Sequence, residues 1–407
     1  MSAPLRRTRG DLVATAAIAA VSLAAVAGVW ATAPVRDAEL TPAAETVAAA
    51  PPLTDVPESL APAWSRINAP VPGVHRPVIV DGVTLTTDGH TVTAVDPAGE
   101  TLWTYERDRE ICSIGAAWGE AVITYRGQAG CGDVVSIDAR SGTYDDTRSA
   151  IAPDEVMALS SNDRVGTVGV DRVELWRSDL VRTVEYGHVE GRQEPGLQPN
   201  PDCAISSALT RTSLLAVTET CRDDYGAWLR FQEADPEESR KPEITGEVLL
   251  DDAGARLIAV AEHAVAVYLP GERPELVSFR EDGTELHRRP VAPAPLVDDA
   301  PLFSPVTADL PHHMTWFDGE RLYLLGPSDL AVRHVLEDAV GTGVAVGDQL
   351  LVPTAEGLAV VDWVSGETTS TIPVDRAGYD GEVTLGVAGG TIVEKRGDEL
   401  VGLIQDA

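Results

Sequence analysis

Four cysteines, Cys112, Cys131, Cys203 and Cys221, are the residues whose type and spacing most directly imply chemistry. They form two local pairs, with gaps of 19 and 18 residues. An even cysteine count suggests disulfides if the chain is exported, and the N-terminus described below marks it for export. The flanks of the two pairs match. Cys112-Ser113-Ile114 is followed by an apolar run at 121–124 before Cys131, and Cys203-Ala204-Ile205 by one at 215–218 before Cys221. Each pair brackets a strand, a turn and a strand whose ends return to each other, so Cys112–Cys131 and Cys203–Cys221 are the expected bridges. Neither CxxC nor a histidine at ligand spacing accompanies them, which argues against zinc.

Other candidate groups are weaker. Adjacent acids occur at Asp145-Asp146, Asp223-Asp224, Asp251-Asp252 and Asp298-Asp299, without the D-x-D-x-D-G spacing of a calcium loop. Solvated turns explain them better. His312-His313 would point to opposite sides of an extended chain, a poor chelating geometry. No G-x-S-x-G, H-E-x-x-H or phosphate loop is present. No catalytic, cofactor-binding or metal-binding residue is therefore assigned. The segment 176–202 is the candidate binding loop. Trp176, Arg177, Arg182, Tyr186 and Arg192 lie beside an irregular Pro/Gly stretch, and these are the residue types of interface anchors. The competing view is an outer strand through about Glu185 followed by a passive insertion.

The formal net charge of −33 excludes an electrostatic nucleic-acid binder and a basic body seated on anionic lipid. With 44% hydrophobic and 23% charged residues the chain is a folded globular one. Arg6, Arg7 and Arg9 precede an uncharged run at 12–33, long enough at roughly 33 Å to cross a bilayer core. Ala31-Thr32-Ala33 resembles a signal-peptide cleavage site, but Pro34 would follow the cut and hinder it. The expectation is an uncleaved signal anchor, with 1–11 cytoplasmic and the body extracytoplasmic at the cell membrane. Residues 34–60, rich in Ala and Pro, read as an extended linker that holds the body off the membrane. Residues 1–33 hold three Arg and one Asp, so the remainder is more acidic than the whole.

Past residue 60 the pattern is all-β. Short Val/Ile/Leu/Thr runs alternate with Gly and Asp turns. The clearest unit covers 78–105 and contains Asp81-Gly82, a strong hairpin signal. Asp96 recurs as Asp138, 42 residues on. Further units lie at 155–186, 203–232, 257–286, 315–336, 343–367 and 383–406. Four strands repeated at this period indicate one β-propeller over 61–407, of about eight blades, with seven as the alternative. The last unit is one strand short, while Trp64-Ser65-Arg66-Ile67 has no partner. Residues near 62–68 should therefore supply its outer strand and close the ring. Trp103 and Trp118 are expected between blades.

The segment 94–103, Ala-Val-Asp-Pro-Ala-Gly-Glu-Thr-Leu-Trp, resembles the repeat of PQQ-like, quinoprotein-type propellers, roughly A-x-D-x-x-T-G-x-x-x-W. Residues 138–142 and 362–367 keep its Asp and Gly. The chain also resembles membrane-anchored envelope proteins of actinobacteria, on residues 175–187 and on Cys112, Trp118 and Gly130-Cys131. These likenesses imply a fold and an envelope location. PQQ enzymes need calcium held by Glu, Asn and Asp, and many stack adjacent cysteines on the quinone. Here no cysteines are adjacent, and Asn occurs only at 68, 162 and 200. The resemblance thus implies the non-enzymatic members, such as the outer-membrane assembly lipoprotein of Gram-negative bacteria. The expected function is a monomeric, membrane-anchored scaffold, without cofactor, that binds a protein or envelope partner. The alternative is a PQQ- and calcium-dependent dehydrogenase or another propeller enzyme.

Overall fold

The computed structural model describes residues 8–406 apart from Asn162, Arg192, Gln193 and Asp223, and only the backbone of Pro34 and Val35. A 23-residue helix, Arg9–Ala31, opens the chain. Thr8 and Asp11 cap it reciprocally, satisfying backbone donors that a first turn leaves open. None of its side chains is buried, and its mean hydropathy reaches 2.3.

Eight antiparallel sheets follow, each a meander whose first strand lines the central channel. They span 78–107, 111–149, 157–187, 204–250, 256–290, 306–336, 344–373 and 383–405, here blades 1 to 8. Eight is the count, not seven. Inner and middle strands such as Arg256–Val260 and Val83–Thr87 are buried throughout, because neighbouring blades cover both faces. Outer strands such as Tyr144–Ser149 and Thr368–Pro373 are largely exposed. Asp81 and Gly82 both have positive φ, 51° and 81°, as the hairpin turn between two strands of blade 1 requires.

The ring closes as expected. Leu60–Ile67 pairs with Glu399–Gln405 as the outer strand of blade 8. Both disulfides form in the expected pairing, Cys112–Cys131 and Cys203–Cys221.

The recurring Asp and Gly serve one geometry. Asp96, Asp138 and Asp362 each start the turn into an outer strand. Their carboxylates accept backbone N–H groups from Glu100, Ser141 and Ser365, all at 2.8 Å. Gly99 and Gly142 end two of these turns with φ of +84° and +66°. A Cβ at Gly99 would overlap the ring of Trp64, and one at Gly142 that of Trp103. Each tryptophan comes from the preceding blade. Trp64 Nε1 donates to Pro97 O at 3.1 Å, and Trp103 Nε1 to Ala139 O at 2.7 Å. Trp118 packs in the apolar cluster shared by blades 2 and 3.

The segment 34–60 does not run free as a spacer. Ala38–Thr41 forms a fifth strand on the outer edge of blade 1, with Ala38 opposite Arg107 and Thr41 opposite Thr104. Ala43 and Val47 then donate backbone hydrogen bonds to Ser141 O and Arg140 O of blade 2, at 3.0 and 3.2 Å. Ala50 reaches Gly82 and Gly389, and Leu53 and Val56 pack on the core of blades 7 and 8. The segment is a strap across the face that carries the first hairpin turns. The cause is an open edge: strand Thr101–Arg107 offers unpaired backbone groups that an extended polar-apolar chain can satisfy.

Candidate functional site: the central channel

The crossing from blade 8 into blade 1 enters the channel. Its sequence, Asn-Ala-Pro-Val-Pro-Gly-Val-His-Arg-Pro over 68–77, is stiffened by three prolines. Val74 N donates to Val71 O at 3.0 Å, and Gly73 has φ +77°. This is a turn with Pro and Gly at its centre, a pairing that favours type II. The turn carries the chain across to blade 3, where Ala158 N donates to Pro72 O at 3.0 Å. On the opposite side Thr384 Oγ1 donates to His75 O at 2.7 Å, and Arg76 Nη2 to Leu385 O at 3.0 Å. The crossing into blade 6 does the same from another side, with Phe303 N donating to Ser206 O at 2.8 Å. These contacts fall near the starts of the inner strands. Together the two crossings plug that end of the channel.

Below the plug lies a cavity of about 340 Å³. Inner strands of blades 1 to 6 wall it, and its residues run to the first hairpin turns, among them Ser161, Arg211 and Asp309. It therefore extends toward the strap-bearing face. The walls are mainly small or apolar. The charged side chains are Arg76, Arg211 and Asp309, with His75 beside them. Arg211 Nη2 meets Asp309 Oδ2 at 3.1 Å. Arg76 has no carboxylate within ion-pair distance among the described residues, and its Nε has no hydrogen-bond partner there. The same holds for His75 Nε2. Burial lowers the pKa of His75 to about 4, with the charge of Lys395 adding to this, so the imidazole is neutral at pH 7. Burial also lowers Arg76 to about 10, and the attraction of Asp309 only partly offsets it. Asp309 is itself raised by burial against the pull of Arg211 and Arg76.

None of these residues stands out in the sequence. The one available signal is His75-Arg76 between prolines in a connection that must cross the ring.

The 176–202 segment takes a different form from the expected binding surface. Trp176 is 1% exposed and Tyr186 fully buried, so neither can anchor a partner. Neighbouring blades cover them, Trp176 packing against blade 2 and Tyr186 against blade 4. Trp176 Nε1 donates to Glu174 at 3.1 Å, and the Tyr186 hydroxyl to Glu219 at 2.7 Å. Arg182 is half-buried at the seam with blade 2, pairing with Glu174 at 3.0 Å and Glu185 at 2.5 Å. Arg177 is exposed and paired with Asp179 at 2.8 Å. Arg192 lies outside the described residues. The insertion after the strand is stitched down by Gln198, which accepts from Gly187 N and donates to Glu185 O and Arg240 O.

Asp145 and Asp146 lie not in a turn but in the largely exposed outer strand Tyr144–Ser149 of blade 2, while other candidates resolve as turns and packing. Asp252 accepts from Gly254 N and Gly271 N, Asp298 from Ala300 N, and Asp224 from Trp228 Nε1. His313 stacks on Trp363 at 5.5 Å. Cys203, Glu219 and Cys221 sit close enough to chelate, but the two sulfurs are bonded to each other.

The donor set of the cavity does not suit calcium and PQQ. Asp309 is its one carboxylate, Asn and Glu do not line it, and neither disulfide joins adjacent residues.

No protein-family model and no curated protein matches the chain. Among solved structures it is similar to BamB from Moraxella catarrhalis, at 14% identity and TM-score 0.48, covering 85% of this chain and all of that one. The dihydro-heme d1 dehydrogenase NirN matches at 10% identity and TM-score 0.49, covering 84% of this chain and 78% of that one. PorZ, a surface component of the type-IX secretion system of Porphyromonas gingivalis, matches at 11% and 0.46, over 82% and 42%. At these values the eight-bladed assignment stands on the sheets of this chain itself.

Proposed function

We propose that the protein is a non-enzymatic binding scaffold: a propeller held outside the cell membrane by its N-terminal helix, offering its free face to a protein or envelope partner. The observation that carries this is the strap. Only residues 32–37 separate the fully exposed apolar helix from the first residue hydrogen-bonded to blade 1. At about 3.3–3.6 Å per residue those six residues reach at most roughly 20 Å. The end of blade 1 near Arg107, on the plugged side of the ring, therefore lies close to the bilayer. The strap then leads away to the other face, toward which the cavity extends. Arginines at the N-terminus favour that end in the cytoplasm, and two disulfides suit an oxidising exterior. The repeat turn of blade 1 and the anchored layout support kinship with PQQ-like envelope propellers that act by binding.

Protease treatment of spheroplasts, followed by intact-mass analysis, tests the anchorage. A full-length chain whose ring is cleaved from outside is expected. A soluble chain beginning at Pro34 overturns it. Proximity labelling from the C-terminus should return a small reproducible partner set. Dye-linked oxidation of alcohols or sugars with added PQQ and calcium would instead establish the enzyme reading.

A further inference from the structure

From the charges in the central cavity we infer that it is a binding site for a small organic anion bearing carboxylate or phosphate, held between Arg76 and Arg211. The inference is independent of membrane anchorage. It starts from an imbalance. The chain as a whole carries 64 acids against 31 bases. The cavity reverses that ratio, with two guanidinium groups to one carboxylate. Asp309 is committed to Arg211 at 3.1 Å, which leaves Arg76 without an ion-pair partner among the described residues. Arg76 is half-buried with its Nε fully enclosed, and a cation so placed without a counter-ion is unfavourable unless something else completes the pair.

The guanidinium of Arg76 is also oriented. One Nη donates to Leu385 O, the residue is held between His75 and Pro77 of the plug, and Nε remains free. A planar donor fork with unused N–H groups matches an oxyanion with two oxygens better than a single halide. His75 Nε2 is a second unpartnered polar atom beside it. Ser160 adds a hydroxyl on the wall, whereas those of Ser161, Thr210 and Thr307 already donate to Asp163, Leu214 O and Thr315 O. The apolar walls of Ile114, Leu209 and Val260 ask for a ligand with a carbon skeleton. A volume of about 340 Å³ falls at the lower end of small-molecule pockets. The surplus of acid elsewhere on the chain disfavours large polyanions at the mouth.

Thermal unfolding of the full-length protein in neutral detergent, with calorimetry, tests this. Citrate and inorganic phosphate are the probes, glycerol is the neutral control, and sodium chloride is matched for ionic strength. A saturable rise in Tm is expected with citrate, with phosphate or with both, and none with glycerol or chloride. Preference for citrate assigns a carboxylate ligand, and preference for phosphate a phosphate ester. Arg76→Gln should weaken binding about tenfold or more, as loss of a charge-assisted pair does, and Arg76→Lys should recover part of it. Arg211→Gln should weaken it as well, and it decides the matter if Arg76→Gln does not fold. The site is refuted by no saturable response to either anion. It is equally refuted by a response that chloride reproduces, or by unchanged affinity in the folded Arg76 or Arg211 variants.

Discussion

The seam between blades 1 and 2 and the seam between blades 2 and 3 solve one packing problem with different chemistry. In the first, Trp103 is 1% exposed, lies over Gly142 and gives its single polar hydrogen to Ala139 O. In the second, a buried charge cluster sits beside Trp176 and Leu180. Glu174 accepts from Arg172 at 2.7 Å and from Arg148 and Arg182 at 3.0 Å, and Arg148 also reaches Leu180 O at 3.1 Å. Around Trp103 the stability comes from apolar area, which no titration changes, while Arg107 and Asp133 pair separately across the same seam at 2.8 Å. The charged seam is stable only while each ion keeps its partners. Its two carboxylates are pulled in opposite directions. Burial would raise Glu174, but the charges of Arg148, Arg172 and Arg182 outweigh it and lower the pKa. For Glu185 burial wins over Arg172 and Arg182, and the pKa rises.

Opening the ring altogether should have the largest effect. Deleting residues 60–67 removes the outer strand of blade 8 and the Trp64 seam with it, and should abolish cooperative unfolding in urea. A deletion variant with the wild-type transition would contradict the closure. Next, Trp103→Ala and Glu174→Ala should each cost about 3–5 kcal/mol near pH 7, one by cavity formation and one by stranding buried arginines. Their pH dependence separates them. The contribution of a carboxylate with lowered pKa is present above the usual glutamate range and is lost as pH falls through its folded value. The Glu174→Ala deficit should therefore shrink in acid, while the Trp103→Ala deficit stays constant. Equal behaviour of the two variants would erase the distinction between the seams.

Blades 2 and 4, on either side of the charged blade 3, carry the disulfides. Replacing Cys203 and Cys221 with Ser should cost about 2–4 kcal/mol, read from the shift of the urea midpoint. A smaller effect comes from Glu120 at the start of a blade 2 strand. Burial first, then a hydrogen bond and charge repulsion from Asp145, raise its pKa to about 7. A raised carboxyl contributes stability in full below its ordinary range and loses it as pH rises through about 7. Wild type should therefore lose stability relative to Glu120→Gln between about pH 4.5 and 7, and parallel profiles would contradict the assignment. Smallest of all, Arg177→Ala removes an exposed pair and should leave the melting temperature unchanged.

The same contrast explains what could be read in advance. The tryptophan seam is local in sequence: Asp96, Gly99 and Trp103 lie within one turn and strand, so the repeat displays them. The charged seam draws Arg148, Arg172, Glu174, Arg182 and Glu185 from two blades, and no short window shows that they meet. Trp176, Arg182 and Tyr186 therefore looked like a binding loop. Whether an aromatic or arginine side chain points out or in depends on strand phase and on what covers the outer strand. Here Gln198 and the backbone of Ser239 cover it. Residues 38–56 were opaque for a related reason. Their Ala/Pro/Thr composition suits a spacer, and the unpaired edge of blade 1 that captures them is a property of the folded ring.

The amino-acid sequence by itself determined the apolar N-terminal helix, the repeat of four strands, both disulfide pairings and the closing strand, because each depends on local pattern or on counting. Tertiary structure alone decided that the linker is a strap, that Trp176 and Tyr186 are buried, and that Arg76 enters the channel without a counter-ion among the described residues. Those outcomes depend on distances between residues far apart in the chain, such as Arg76 and Leu385 or Ala38 and Arg107, and ring closure alone brings such residues together.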